Sequence, residues 1–150
     1  MSLIYVDPVS GGKLFQAGKS EIPNILEKNS VSILILAARE YQPKIFDEVV
    51  KFYIPLGDDD QLTAEELLRI KRIAFLAAIS IRNGKEVLST CHQGRNRSGI
   101  ISSFILKYLT HCKGDRAISH IRKHRKNALT NNFFNRLIVI DDYRQDYHHG

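Results

Sequence analysis

A cysteine and an arginine close together in the sequence, Cys91 and Arg97, are the residues best suited to chemistry. They lie in the run Thr90-Cys91-His92-Gln93-Gly94-Arg95-Asn96-Arg97-Ser98-Gly99, between a stretch that reads as strand and one that reads as helix. A loop entering a helix N-terminus points several backbone N–H groups at one spot. Together with the helix dipole they form an anion site. A cysteine at the strand end sits in that positive field, where thiolate is favoured over thiol, and thiolate is the attacking form. An arginine on the first helical turn folds a planar fork back over the loop, matched to two oxygens of a phosphoryl group. Gly94 allows a tight loop path. Ser98 puts a hydroxyl next to the sulfur, where it can hydrogen-bond the thiolate and help it leave. His92, Gln93, Arg95 and Asn96 complete the loop. The competing account of Cys91, a buried inert thiol, fits poorly with a strand end and polar or basic neighbours.

Positioning these residues requires a strand before the loop and a helix after it. The run Glu86-Val87-Leu88-Ser89-Thr90 reads as the strand, and the helix is expected over 98–109, with Ile101, Phe104, Ile105 and Tyr108 on one face. Ahead of them, Thr63 and Glu66 form a capping box. Leu67, Ile70, Ala74, Ala77 and Ile81 then recur at helical spacing until Asn83-Gly84 ends the helix. Strands are expected over 13–17, 31–36 and 52–54, and a short helix over 21–27. Two further helices are expected over 116–126 and 132–143, with a polar tail after about Tyr143. Strands alternating with helices, then helices in succession, argue for α/β architecture. The expectation is one three-layer domain over residues 1–150, with a central, mostly parallel sheet of about four or five strands flanked by helices.

The 150 residues suffice for one domain with a real core. The hydrophobic share of 43% and charged share of 25% sit near the globular average and argue against extensive disorder. No apolar run is long enough to span a bilayer, and the first residues lack the pattern of a signal peptide. Two cysteines, Cys91 and Cys112, make no disulfide framework, which fits a reducing compartment. A cytoplasmic protein is the expectation. A formal net charge of +6 favours anionic partners without choosing among phosphoproteins, nucleic acid and acidic lipid. No Gly-x4-Gly-Lys-Ser/Thr occurs, which argues against a P-loop nucleotide hydrolase.

The run Cys91 to Arg97 resembles the Cys-x5-Arg phosphate-binding loop of the protein tyrosine phosphatase superfamily, with Ser98 at its Ser/Thr position. Lys13-Leu14-Phe15-Gln16-Ala17-Gly18 and Ile33-Leu34-Ile35-Leu36-Ala37 look like the opening of the small dual-specificity phosphatases. Ala117-Ile118 with Ile121-Arg122 and Arg125, then Asn131 to Phe134, extend the likeness, which covers about residues 12 to 140. The resemblance implies metal-free, cofactor-free hydrolysis of a phosphomonoester in two steps, through a cysteinyl-phosphate intermediate. It implies a phosphorylated protein substrate, phosphotyrosine first and phosphoserine or phosphothreonine besides. It also implies that His92, Gln93, Arg95 and Asn96 face the substrate.

Such a mechanism needs a general acid that later activates water. In this family it is an aspartate on a loop ahead of the long helix, where this chain has Pro55-Leu56-Gly57-Asp58-Asp59-Asp60. Aligning on the proline favours Asp58, counting back from Cys91 favours Asp59, and Asp60 ranks third. Two departures stand out: the family usually has His immediately before the cysteine, where this chain has Thr90, and Ser89 replaces an apolar residue. Basic His92 and Arg95 would also suit a polyanionic substrate, an RNA 5′-triphosphate end or a phosphoinositide, and Asn96 before Arg97 looks like the RNA 5′-triphosphatase branch. A phosphate-binding module without turnover is the alternative from another class. His120 and His124 lie one turn apart, but with no third ligand evident and cations all round, a solvated basic helix face is the better reading.

Overall fold

The computed structural model describes residues 2–44, 48–57 and 61–149, with side chains as far as Tyr143. The chain begins with β1 (Ser2–Val6), a strand that the sequence reading did not anticipate, paired antiparallel with β2 (Lys13–Gly18). A 3₁₀ turn (Lys19–Glu21) leads into α1 (Ile22–Lys28), then β3 (Val31–Ala38) and β4 (Val50–Leu56). The helix α2 (Ala64–Arg82) precedes β5 (Glu86–Cys91) and α3 (Arg97–Thr110). The chain ends with α4 (Gly114–His124) and α5 (Asn132–His149). The last helix runs further than the 132–143 expected, its backbone staying helical to His149.

The sheet has five strands in the order β1-β2-β5-β3-β4, and all pairings except β1 with β2 are parallel. The expected mostly parallel sheet of four or five strands is what the chain forms. Side chains alternate across a strand, and β3 divides accordingly between two cores. Ile33 and Ile35 join the cluster built by α2, α3, α4 and α5, whereas Leu34 and Leu36 join Ile22 and Ile25 of α1 on the opposite face. The three layers follow from that division, and the apolar run of β3 is the sequence signature of a strand covered on both faces.

β5 is central, hydrogen-bonded to β2 on one side and β3 on the other. Its last residue, Cys91, therefore emerges at the C-terminal edge of the sheet's middle, where α/β folds bind ligands. The helix that follows is almost entirely enclosed: residues Arg97 to Lys107 of α3 are all buried. The Thr63/Glu66 capping box forms as expected. Thr63 Oγ1 accepts from Glu66 N at 3.0 Å, and Thr63 N donates to Glu66 Oε1 at 2.9 Å.

Candidate active site

The loop between β5 and α3 closes over a cavity of about 250 Å³ lined by Cys91, His92, Gln93, Arg95, Asn96, Arg97 and Thr130. Cys91 lies at its base and is 4% exposed. Its Sγ is 3.3 Å from Ser98 Oγ in a buried hydrogen bond. Four consecutive carbonyls of the loop, His92 to Arg95, turn outward to donors in the surrounding protein, and the next, that of Asn96, begins the hydrogen-bond ladder of α3. Lys19 N donates to His92 O at 3.1 Å, Leu129 N to Arg95 O at 3.1 Å and Ile100 N to Asn96 O at 2.9 Å. Arg125 Nη2 donates to Gln93 O at 3.0 Å, while Arg125 Nε (2.7 Å) and Gln16 Nε2 (2.9 Å) both donate to Gly94 O. With these carbonyls committed, the peptide N–H groups have to face the cavity. Among the described residues, none of the N–H groups from Gln93 to Asn96 finds an acceptor. A row of unsatisfied N–H groups around one point, at a helix N-terminus, is an anion cradle.

Gly94 makes this loop path possible. Its φ of +72° is left-handed, and a Cβ there would lie 2.4 Å from the carbonyl carbon of Ala17. Leu129 is the second left-handed residue beside the loop, at φ 57°. A non-glycine residue adopts that conformation at a cost. Leu129 is held there through its N–H on Arg95 O and its carbonyl, which accepts from Arg122 Nη2 at 2.6 Å and Asn135 Nδ2 at 2.9 Å.

Arg97 is 3% exposed, and its guanidinium is held end-on by a carboxylate. Nη1 donates to Glu40 Oε2 at 2.8 Å and to Leu56 O at 3.0 Å, and Nη2 donates to Glu40 Oε1 at 2.6 Å. The hydrogen bonds from Arg97 hold the Glu40 carboxyl down at about 2, against the opposing effect of burial, and the charge of His92 adds to the lowering.

The strand before the cysteine is tied on both flanks. Thr90 Oγ1 donates to Ile35 O at 2.7 Å, and Ser89 Oγ donates to Ser98 O at 3.0 Å, both buried. Thr90, standing where the resemblance expects histidine, thus spends its hydroxyl on β3, away from the sulfur. The side chain of Asn96 is likewise engaged. Its Nδ2 donates to Thr130 Oγ1 at 3.1 Å and its Oδ1 accepts from Asn131 N at 2.9 Å, so it latches the loop to the segment before α5. Asn96 also lines the cavity.

Of the residues expected from the sequence, the fold brings together Cys91, His92, Gln93, Gly94, Arg95, Asn96, Arg97 and Ser98. His92, Gln93 and Arg95 are exposed at the mouth. Asp58 and Asp59, the two general-acid candidates, lie outside the described residues, as does Asp60. The strand leading to them ends at Leu56, whose carbonyl accepts from Arg97. The sequence reading missed Glu40 and the loop-holding role of Gln16. Arg125 was noticed only through the family likeness, and nothing in its local sequence announces which carbonyls it reaches. His120 lies elsewhere, its Nε2 2.6 Å from Ile4 O, and serves to tie α4 to β1.

No family profile matches this chain, and no curated protein matches it by sequence. Solved structures do match. Human DUSP28 superposes with a TM-score of 0.74 at 19% identity, over 89% of this chain and 88% of that one. DUSP15 gives 0.75 at 17% identity, covering 91% and 84% respectively. Tk-PTP in its active form gives 0.67 at 21% identity, over 94% and 95%. The chain has the fold of the small dual-specificity phosphatases.

Proposed function

We propose that this protein is a phosphomonoester hydrolase of the protein tyrosine/dual-specificity type, working through a cysteinyl-phosphate intermediate. The single observation that carries the proposal is the loop itself: inward N–H groups from Gln93 to Asn96 with Cys91 Sγ beneath them and Arg97 beside them. In the first step the Cys91 thiolate forms a bond to phosphorus and the ester oxygen departs with its electron pair. The loop N–H groups and Arg97 hold the equatorial oxygens, whose charge grows in the transition state. Asp58 or Asp59 supplies the proton to the leaving oxygen. In the second step the same carboxylate takes a proton from water as the water attacks phosphorus, and the Ser98 hydroxyl stabilises the departing thiolate.

The substrate class we infer first is a phosphorylated protein, phosphotyrosine and then phosphoserine or phosphothreonine. A polyphosphorylated substrate, an RNA 5′ end or a phosphoinositide, is the second reading. It is favoured by the exposure of Arg95 and His92 at the mouth of the cavity. No helix among the described residues is long and apolar enough to cross a membrane.

The test is hydrolysis of a small aryl phosphate, with EDTA present, by the wild type and by Cys91→Ser. EDTA-resistant activity that vanishes in the variant supports the proposal. A wild type that binds phosphate and phosphopeptides without turnover would instead make this a recognition module.

A further inference from the structure

The long helix α2 is apolar on two sides. Its inner face, Ile70, Ala74, Ala77, Ala78 and Ile81, is buried in the core. Its outer face also carries large apolar side chains: Leu68, Phe75, Leu76 and Ile79 are 48%, 50%, 49% and 39% exposed. A surface helix normally presents polar residues there. Phe75 stacks edge-on against Tyr108 of α3, with ring centroids 5.5 Å apart, and a shallow groove of about 430 Å³ runs beside them.

The outer residues fall in a regular pattern. Glu65, Leu68, Arg72, Phe75, Ile79 and Arg82 follow one another at alternating steps of three and four, the a/d pattern of a coiled-coil seam. The seam is self-complementary only when reversed. Two copies laid antiparallel, crossing between Ile73 and Ala74, place Leu68 opposite Ile79 of the second copy and Arg72 opposite its Phe75. The same register places Glu65 opposite Arg82 at both ends. Every layer then pairs an apolar residue with an apolar one, a cation with an aromatic face, or a carboxylate with a guanidinium. A parallel arrangement would instead stack Arg72 on Arg72 and Glu65 on Glu65. An interaxial angle near the ~20° of such packing keeps the two ends in reach along a seam about 25 Å long.

We propose that α2 is a self-association surface through which two copies of this chain pair antiparallel along this seam. The exposed apolar area is a few hundred Å² per copy, below the roughly 800 Å² per partner of a standard stable interface. The dimer is therefore expected in the micromolar range. Each copy also carries a net charge of +6, which opposes association unless salt screens it. None of the seam residues lines the phosphate cavity, so the proposal stands apart from the proposed phosphatase activity.

The experiment is sedimentation of the full chain at physiological salt, from about 1 µM to about 0.5 mM, a range that spans weak specific interfaces. A concentration-dependent dimer is expected. Phe75→Glu should abolish it. Glu65→Arg and Arg82→Glu should each weaken it about tenfold, and the two together should restore it, because the pair is re-formed with reversed signs. A second measurement does not depend on charge: a Leu68→Cys, Ile79→Cys, Cys112→Ser variant should oxidise to a dimer with position 68 linked to position 79 of the other copy. A chain that stays monomeric throughout, a dimer indifferent to Phe75→Glu, a double variant that stays weak, or cross-links in another register would each overturn the proposal. Preferential binding of an acidic helical peptide along α2 by a strictly monomeric chain would assign the seam to a different protein.

Discussion

Arg97 and Glu40 form an end-on pair at 2.6 and 2.8 Å, with the guanidinium buried and the carboxylate half in solvent. Arg97 begins α3 and Glu40 follows β3, so the pair ties these two elements together beside the cavity that Arg97 lines. The carboxylate fixes the plane of the fork before any substrate arrives, which is the kind of preorganisation a phosphate grip needs. Replacing Glu40 with Gln keeps the shape and removes the charge. The expected result is a loss of about tenfold in kcat/KM for an aryl phosphate, one charge-assisted hydrogen bond's worth of alignment, with the protein still folded.

The same pair gives a pH dependence with a definite sign. The Glu40 carboxyl is lowered from 4.5 to about 2 in the folded chain. A depressed carboxylate stabilises the fold above its unfolded value and loses that contribution as pH falls through its folded value. The melting-temperature difference between wild type and Glu40→Gln should therefore be constant above about pH 5 and shrink towards zero as pH falls to about 2. Thermal melts of both proteins across that range check it.

Arg97→Lys tests the fork rather than the charge. Lysine keeps a cation but cannot make the paired bonds to Glu40 or to two phosphoryl oxygens. The expected loss in kcat is on the order of 10² to 10³, the range for removing a transition-state donor.

Arg125 should behave as a positioning residue. It contributes bonds to Gln93 O and Gly94 O and an ion pair to Glu21 Oε2 at 3.1 Å, so it holds the loop carbonyls outward. Arg125→Met leaves those carbonyls short of donors. Urea unfolding should show a loss of about 1.5–3 kcal/mol, the worth of hydrogen bonds to a charged group, and kcat/KM should fall with it. Gly94→Ala should be worse for activity than for expression. The added methyl meets the backbone of Ala17, the φ of +72° is strained for alanine, and a cost of at least about 2 kcal/mol follows.

Thr90→Val removes the hydroxyl and its buried hydrogen bond to Ile35 O. A loss of about 0.5–1.5 kcal/mol is expected from chemical denaturation, whereas Thr90→Ser should retain most of the stability.

The central strand, the loop and the helix that follows were legible because they are contiguous. Cys91, Gly94, Arg97 and Ser98 are set by one turn of chain whose conformation follows from a strand end and a helix start. Glu40 was not legible, because its partner lies 57 positions away and nothing in Ala-Arg-Glu-Tyr distinguishes it from a solvated turn. Gln16 reads as one residue of an apolar strand, and only the fold brings its amide to Gly94 O, 78 positions on. Edge strand β1 escaped because only Ile4 of its five residues is buried, so the alternation that marks a half-buried strand is faint. The second apolar stripe of α2 was hidden by the first: a helix apolar on two sides blurs its own periodicity.

The most direct test of the central claim is an acid quench during turnover of a labelled aryl phosphate, followed by peptide mass mapping. The account predicts phosphate covalently attached to Cys91 in the wild type, and none in Cys91→Ser. Turnover that proceeds with no phosphate on Cys91, or that survives in Cys91→Ser, would contradict it.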